Sequence, residues 1–139
     1  MNMEIVIEPP QKLTDLKWLN LFDVKYTTSK GEVGNWTFAS RKQNQLFFGH
    51  KPLNADAVVI VPLLKDGRKR KLVTIKEFRI PLGDYEHGFP SGLCDKNESM
   101  EICAKRELKE ETGLKLTKIL YTGPTCISSA GLSDESVSY

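Results

Sequence analysis

The chain has 139 residues, enough for one domain with a buried core, and 20 Lys and Arg residues oppose 18 Asp and Glu residues. The resulting net charge of +2 is too balanced to imply by itself a nucleic-acid or membrane partner, so any function driven by charge must be local. The opening residues, MNMEIVIEPPQKL, have no basic leader and only a three-residue apolar run, so we expect neither a signal peptide nor a membrane span, and a cytoplasmic location.

The first part of the chain has the pattern of a β-hairpin. Two stretches that favour strands, Leu19 to Tyr26 and Asn35 to Arg41, flank the turn-like segment SKGEVG. The polar patch RKQNQ and the following GHKPLN read as a connector. We therefore predict an N-terminal β-hairpin arm over residues 1–48 and a second domain over residues 49–139.

The next part alternates apolar runs with turn signals. The run AVVIVPLL, which starts at Ala57, predicts a buried strand, and KLVTIKEF follows it after the turn KDGRKR. We expect the basic RKRK at 68–71 to be a solvated turn rather than a phosphate-binding patch. The segment PLGDYEHGFPSG predicts a loop, KLTKILYTG a strand, TCISSAGLSDES a loop, and VSY the start of another strand.

Between the first of these loops and KLTKILYTG, the periodicity predicts a helix over residues 99–112. Ser99 or Asn97 supplies its N-terminal cap, and Gly113 ends it in a left-handed conformation. At 100° per residue, two glutamates share the side that carries the small and apolar residues, whereas the nearby basic residues lie opposite. The two glutamates are Glu107 and Glu111.

This pair of inward-facing acids needs a positive partner. Like charges one turn apart cost a few tenths of a kcal/mol even on an exposed helix, and partial burial costs more. Because the nearest cations point away, we infer a bound divalent cation, Mg²⁺ or Mn²⁺, which prefers oxygen ligands. The alternative is a solvated acidic helix with surface pairs such as Glu101 with Lys105, and periodicity alone leaves both open.

A longer motif surrounds these glutamates. Gly92, Glu98 and the run RELKEETGL at 106–114 match every fixed position of G-x5-E-x7-R-E-U-x-E-E-x-G-U, so the chain resembles the Nudix hydrolases. The resemblance implies an α/β (α+β) fold, an α/β/α sandwich built on a mixed sheet, with the N-terminal antiparallel β arm added. Relatives in this family continue further, so we expect the C-terminal part of the fold to be missing from this chain.

The resemblance also assigns roles within the motif. Nudix hydrolases cleave a diphosphate linked to another moiety by attack of water on phosphorus, assisted by divalent cations. By the family's pattern, Glu107 and Glu111 are metal ligands and Glu110 supports them. Arg106 and Glu98 form the pair that orients the loop and the helix.

The segment EFRIPLGDYEHGFPSGLCD resembles the branch of ADP-ribose pyrophosphatases. Arg79 matches the arginine that contacts substrate in that branch, and Ser91 takes the position whose backbone carbonyl binds a metal. Gly88 stands where glutamate is usual, so a carboxylate near the site is lost, with an effect on metal binding or substrate choice.

Two other regions extend the resemblance to this branch. Trp18, Trp36 and Arg41 are placed as in relatives whose N-terminal arms form a homodimer and stack adenine between aromatic rings; the alternative is that both tryptophans only pack in a core or interface. Glu135 matches an acidic residue that helps to bind a third metal or activates water, although its loop could also be ordinary surface.

The preferred function is therefore metal-dependent hydrolysis of ADP-ribose, or a related nucleotide sugar, to AMP and a sugar phosphate, with no nucleic acid or membrane as partner. Two alternatives stay open. One is a housecleaning nucleoside triphosphate pyrophosphohydrolase, against which the two tryptophans of the arm argue. The other is a regulator that binds ADP-ribose without turnover, although the usual sign of one, a broken REXXEE motif, is absent.

The cysteines give one further expectation. Cys94, Cys103 and Cys126 are an odd number without CxxC spacing, which suits a reducing compartment better than a disulfide framework. We expect all three to be unpaired structural residues.

Overall fold

The computed structural model describes residues 5–43 and 54–139. These residues fall into two compact units, the first made of residues up to 43 with 127–135, the second of residues 54–126 with 136–139. The predicted boundary between residues 48 and 49 lies outside the described residues. Each unit is considered by itself below.

The first unit is an antiparallel sheet centred on one long hairpin. Its strands are β1 (Val6–Ile7), β2 (Gln11–Lys12), β3 (Asn20–Thr27) and β4 (Val33–Ser40). β3 pairs with β4 along all eight residues, whereas β1 and β2 pair with the other edge of β3. The predicted hairpin is confirmed, and the two short strands were not predicted.

Alternation along β3 explains why this hairpin folds. Phe22 and Val24 are buried at 3% and 5% exposure, whereas Leu21 and Lys25, on the alternate positions, are exposed. The rings of Phe22 and Phe38, opposite each other in the ladder, stack with centroids 5.8 Å apart. The buried side of the hairpin is therefore small and aromatic.

The second unit contains the remaining elements. They are β5 (Ala57–Val59), β6 (Leu63–Asp66), β7 (Lys69–Leu72), β8 (Ile75–Arg79), β9 (Asp84–Gly88), β10 (Ser91–Leu93), α1 (Met100–Thr112), β11 (Cys126–Ile127), whose last residue falls in the first unit, and β12 (Ser136–Ser138). The order β10-β5-β12-β11 forms a mixed sheet, because β10 runs antiparallel and β12 parallel to β5. The pairs β6–β7 and β8–β9 are separate hairpins.

Several boundaries differ from the sequence prediction. The run AVVIVPLL divides into β5 and β6 on either side of Pro62, which lacks a backbone N–H for a continuous ladder. The predicted loop PLGDYEHGFPSG contains β9 and the start of β10, because each of these segments finds a pairing partner, β8 and β5. The predicted strand KLTKILYTG is wrong, since no strand is assigned over residues 115–123. The strand predicted at VSY is confirmed as β12.

The predicted helix is confirmed. Helix α1 begins after Ser99, whose hydroxyl oxygen accepts a hydrogen bond from the Ile102 N–H at 3.3 Å. It ends at Gly113, where φ is 73° and the N–H donates to the Lys109 carbonyl. Its buried residues, Cys103, Glu107 and Leu108, lie on one face.

The cysteine prediction is wrong for two of the three residues. Cys94 and Cys103 form a disulfide whose Cα atoms lie 5.3 Å apart, and Cys126 is free and exposed. The reason is that the chain turns back between β10 and α1, which brings two cysteines nine positions apart within bonding distance. In the described part of the chain, no helix combines the length and apolar character needed to span a membrane.

Candidate functional site

The site begins where β10 passes close to α1. Gly92 lies in β10 against the carboxylate of Glu107, and a Cβ atom at Gly92 would overlap that carboxylate. At Gly92 the absence of a side chain leaves space for this carboxylate, which would have to move if a Cβ were present, and no special φ angle is involved. This space lets an acidic side chain occupy a position that is only 9% exposed.

Arg106 joins the loop before the helix to the carboxylates of the helix. Its Nε and Nη2 donate to the two carboxylate oxygens of Glu98 at 3.1 and 2.8 Å, and Nη2 also donates to the Leu93 carbonyl at 3.0 Å. Its Nη1 donates to Glu107 at 2.5 Å and to Glu110 at 3.3 Å. Arg106 thus connects β10, the loop and α1.

These contacts correct one step of the sequence argument. The helical positions place Arg106 away from Glu107, and we therefore inferred that no cation in the helix could neutralise this acid. The structure contradicts that inference, because the long arginine side chain folds back along the helix to reach its own neighbour. Burial of Glu107 alone consequently does not require a bound metal ion.

The ionisation of this group follows from the same bonds. Hydrogen bonds to Glu98 first, and to Glu107 second, raise the pKa of Arg106, so the guanidinium stays charged. The hydrogen bond from Arg106 in turn lowers the pKa of Glu98 below its ordinary value of 4.5. The loop and the helix are therefore joined by an ion pair that persists at neutral pH.

Glu111 has a different environment. Glu111 lies at an exposed position of α1. Its Oε2 accepts a hydrogen bond from the backbone N–H of Ser91 at 3.0 Å, so the carboxylate contacts strand β10. Partial burial raises the pKa of Glu111, and the negative charges of Glu107 and Glu77 raise it further. Adding a cation here would relieve this accumulation of negative charge.

The predicted inward orientation is thus right for Glu107. Glu111 is exposed as a whole residue and only its carboxylate is partly covered, where it meets β10, and the side chain of Glu110 is 58% exposed. Their three carboxylates do not form a compact cluster. Within the described ranges, the group of three possible metal ligands whose atoms all lie within 4.8 Å is Cys94, Glu98 and Cys103. Glu107 instead contacts Arg106, and Glu111 contacts Ser91.

Arg79 ends β8 and is half exposed, between two acids. Its Nη1 lies 3.2 Å from Glu77, and its Nε lies 3.5 Å from Glu86. Burial raises the pKa of Glu111, and the positive charge of Arg79 partly opposes that rise. Gly88, which pairs with Ile75, has open space where a side chain would start, so the structure leaves room for the glutamate usual at this position.

The tryptophans belong to the first unit and are exposed. Trp18 is 70% exposed, with the Lys17 Nζ 4.4 Å from its ring centroid, and Trp36 on β4 is 52% exposed. Neither ring is buried in the core of its own chain. Both rings are therefore accessible to a ligand or to a second chain.

Arg41 and Glu135 are also in the first unit, where they contact each other. The Nε of Arg41 donates to Glu135 at 2.6 Å, and Lys42 pairs with Asp134 at 3.1 Å. The residues are 94 positions apart, so no local pattern indicated this pairing. It fixes the loop 127–135 beside the end of β4.

Sequence reasoning also missed a pairing in the second unit. The Asp56 carboxylate accepts hydrogen bonds from the N–H and the hydroxyl of Ser136 at 2.9 and 2.7 Å, across 80 positions. These bonds hold β12 beside β5, where Ser136 is fully buried. Because Asp56 and Ser136 are 80 positions apart, no local sequence pattern indicated this pairing either.

Comparison with known proteins gives a consistent result. A family model described as NUDIX domain matches residues 53–133. An ADP-ribose pyrophosphatase of Saccharomyces cerevisiae is 30% identical over 126 residues, which are 89% of this chain and 52% of that protein. An ADP-sugar pyrophosphatase of Mus musculus is 28% identical over 130 residues, 93% of this chain and 56% of that protein.

A solved structure has the same fold. The crystal structure of an ADP compounds hydrolase superposes with a TM-score of 0.75 and 24% sequence identity, over 97% of this chain and 64% of the other. It confirms the predicted mixed α+β fold. The chain spans about half the length of the curated relatives it matches.

Proposed function

The chain belongs to the Nudix domain family, and we propose on this premise that it hydrolyses a nucleoside diphosphate linked to another moiety. The proposed substrate is ADP-ribose, cleaved to AMP and ribose 5-phosphate. The names of the yeast and mouse relatives, an ADP-ribose and an ADP-sugar pyrophosphatase, support this substrate class.

The observation that carries the proposal is the junction of β10 and α1 through Arg106. One guanidinium bonds the loop acid Glu98, the Leu93 carbonyl and the helix acid Glu107. A solvated acidic helix would need neither this junction nor a glycine at position 92, whose missing side chain leaves space for the Glu107 carboxylate. The arrangement instead preorganises acidic side chains against a strand, as a catalytic site requires.

The chemical type of the donor atoms near this junction suits a divalent cation, although the three carboxylates are not clustered around one point. Glu107, Glu110 and Glu111 offer hard carboxylate oxygens, and we propose them as the ligands of Mg²⁺ or Mn²⁺, together with the backbone carbonyl of Ser91. Such a cation, when bound, would neutralise charge that develops on the phosphoryl group and lower the pKa of a coordinated water. Burial is the main cause of the raised pKa of Glu111, and the negative charges of Glu107 and Glu77, which add to it, would be offset by such a cation.

The side chains of the protein have distinct proposed roles in the reaction. In hydrolysis, the oxygen of water bonds to phosphorus, the bridging P–O bond breaks, and a proton leaves the water. Arg79 would bind the diphosphate and exchange Glu77 and Glu86 for phosphate oxygens. Glu135 would accept the proton of the attacking water, and Arg41 would orient Glu135 or contact substrate. Arg106 would hold the loop that carries Glu98 in a fixed position relative to α1.

The exposed surface of the first unit supports a second part of the proposal. Trp18 and Trp36 are 70% and 52% exposed, and stacking adenine on an exposed aromatic ring contributes about 1–3 kcal/mol. The first unit also exposes Ile5, Val6 and Ile7. We propose that this arm forms a homodimer and contributes to nucleotide binding, in a protein located in the cytoplasm.

A hydrolysis panel tests the function. The whole chain would be incubated with Mg²⁺ or Mn²⁺ and with ADP-ribose, other nucleotide sugars, diadenosine polyphosphates and nucleoside triphosphates, and product would be measured by chromatography. We expect turnover of ADP-ribose above that of triphosphates. Preference for a triphosphate would overturn the substrate assignment, and tight binding of ADP-ribose without any hydrolysis would indicate a regulator instead.

A further inference from the structure

The disulfide between Cys94 and Cys103 closes a ring around the loop that carries Glu98. Cys94 directly follows β10, and Cys103 lies in the first turns of α1. The enclosed residues include the helix cap Ser99 and Asn97, which has a φ of 70° that non-glycine residues rarely adopt. A covalent bond therefore constrains a loop whose backbone is locally unfavourable.

This loop has a second constraint, which is ionic. Arg106 donates hydrogen bonds to Glu98, inside the ring closed by the disulfide, and to the carbonyl of Leu93, which precedes Cys94. The Nη2 of Arg106 also lies 3.8 Å from the Cys103 sulfur, which is 4.0 Å from the Gly92 carbonyl oxygen. Disulfide and ion pair thus hold the same segment, beside the strand that contacts Glu107.

We propose that Cys94 and Cys103 form a redox site that orders this loop when oxidised and loosens it when reduced by a dithiol. Reduction leaves the hydrogen bonds of Arg106 and the Ser99 cap to join the loop to the helix, so Gly92, Ser91 and the carboxylates of α1 become less well aligned. The consequence for activity rests on the proposed hydrolytic function. The consequence for loop order does not.

The exposure of the two sulfurs gives the exchange a direction. Cys94 is partly exposed, whereas Cys103 is fully buried. A thiolate of the incoming dithiol bonds to the Cys94 sulfur, and the S–S bond breaks with its electron pair on Cys103, beside the positive Arg106. The second thiol of the dithiol then attacks the mixed disulfide and releases Cys94. One dithiol becomes a cyclic disulfide, and the protein gains two thiols.

The same residues could be considered as a metal site in the reduced protein, since Cys94, Glu98 and Cys103 lie within 4.8 Å. The structure favours the redox interpretation for two reasons. The sulfurs are bonded to each other, and both oxygens of Glu98 already accept hydrogen bonds from Arg106. Zinc binding by the reduced protein is therefore an outcome that the experiment must exclude.

Thiol counting and thermal unfolding test the redox site without reference to activity. We expect one reactive thiol in the denatured, air-equilibrated protein and three after reduction with a dithiol, because only Cys126 starts free. Reduction should lower Tm by roughly 10 °C, since opening a loop of this size increases the entropy of the unfolded state. Hydrogen exchange of residues 94–99 should also accelerate.

Two variants provide the controls. Cys94→Ala should unfold at the same Tm with and without dithiol, near that of the reduced protein, because it cannot form the bond. Cys126→Ala should keep the full dithiol-dependent shift. Three thiols in the air-equilibrated protein, an unchanged Tm on reduction, or one zinc ion bound per reduced chain with restored Tm would each overturn the proposal.

Activity gives a further readout. Reduction should lower kcat on ADP-ribose several-fold in the wild-type protein and leave that of Cys94→Ala unchanged. Equal kcat values in both redox states would overturn the proposed control of the site. If neither state hydrolyses any substrate, the proposed function fails, while the thiol count and Tm still decide whether the redox site exists.

Discussion

The β3–β4 hairpin of the first unit and the β10–α1 segment of the second are stabilised in different ways. The hairpin depends on a regular backbone ladder of eight residue pairs with Phe22 and Val24 buried on one side. The β10–α1 segment depends on side chains, above all on Arg106, with a disulfide beside it. A backbone ladder tolerates side-chain substitutions at its exposed positions. A side-chain network centred on one residue is lost when that residue is substituted.

This difference suggests a division of function that mutations can test. Variants in the β10–α1 segment should alter the chemical step or the stability of the fold. Variants at exposed positions of the hairpin should alter the binding of substrate or of a second chain and leave the chemical step unchanged.

The largest effect is expected for Glu111→Gln. Loss of the carboxylate should lower kcat on ADP-ribose by about a hundredfold or more, equivalent to about 2.7 kcal/mol in the barrier, because a proposed metal ligand is removed. Glu101→Gln is the matched control, since Glu101 lies on the same helix in an exposed pair with Lys105. Turnover of Glu111→Gln close to that of wild type, with the fold intact, would refute the role of Glu111.

Gly92→Ala should have the next largest effect, on stability. The added methyl group would overlap the Glu107 carboxylate and move it from Arg106, which we expect to lower the free energy of unfolding by about 2 kcal/mol. Gly88→Ala serves as the control, because its new Cβ meets open space. Urea titration of both variants measures the difference, and equal stabilities would contradict the close contact.

Trp36→Ala tests the hairpin side of the comparison. If adenine stacks on the exposed ring, KM for ADP-ribose should rise about tenfold, or about 1.4 kcal/mol, with little change in kcat. Val33→Ala, on the same strand and also exposed, should leave KM unchanged. An unchanged KM for Trp36→Ala together with loss of a dimer would instead support a packing role.

The smallest effect concerns the pH dependence of Tm. The folded pKa of Glu98 lies below 4.5, so its ion pair with Arg106 stabilises the fold fully above that pH and progressively less as pH falls through the folded pKa. Wild type should therefore exceed Glu98→Gln in Tm by a few degrees at pH 7, with the gap closing between pH 4.5 and the folded pKa. A gap that stays constant down to pH 3 would exclude this linkage.

Local features of the site were predictable because they depend on neighbours in the chain. The cap at Ser99, the stop at Gly113 and the shared face of Glu107 and Glu111 follow from helix geometry. Their chemistry was less predictable. A helical position does not show how far a long side chain reaches, so Arg106 was placed away from the acid that it contacts.

Pairings between distant segments were not predictable. Strands β9 and β10 looked like a loop, since proline and glycine interrupt them, yet each pairs with a partner. The reverse happened at KLTKILYTG, which has the composition of a strand but no partner among the described residues. Strand formation depends on a neighbouring strand more than on local preference.

The amino-acid sequence by itself determined the family, the helix with its caps and the long hairpin, because these depend on short-range spacing and on a nine-position motif. The tertiary structure alone decided which groups outside these local patterns meet. Arg41 with Glu135, Asp56 with Ser136 and Cys94 with Cys103 come together because the folded backbone positions them. Such contacts depend on the path of the whole chain, which no local pattern encodes.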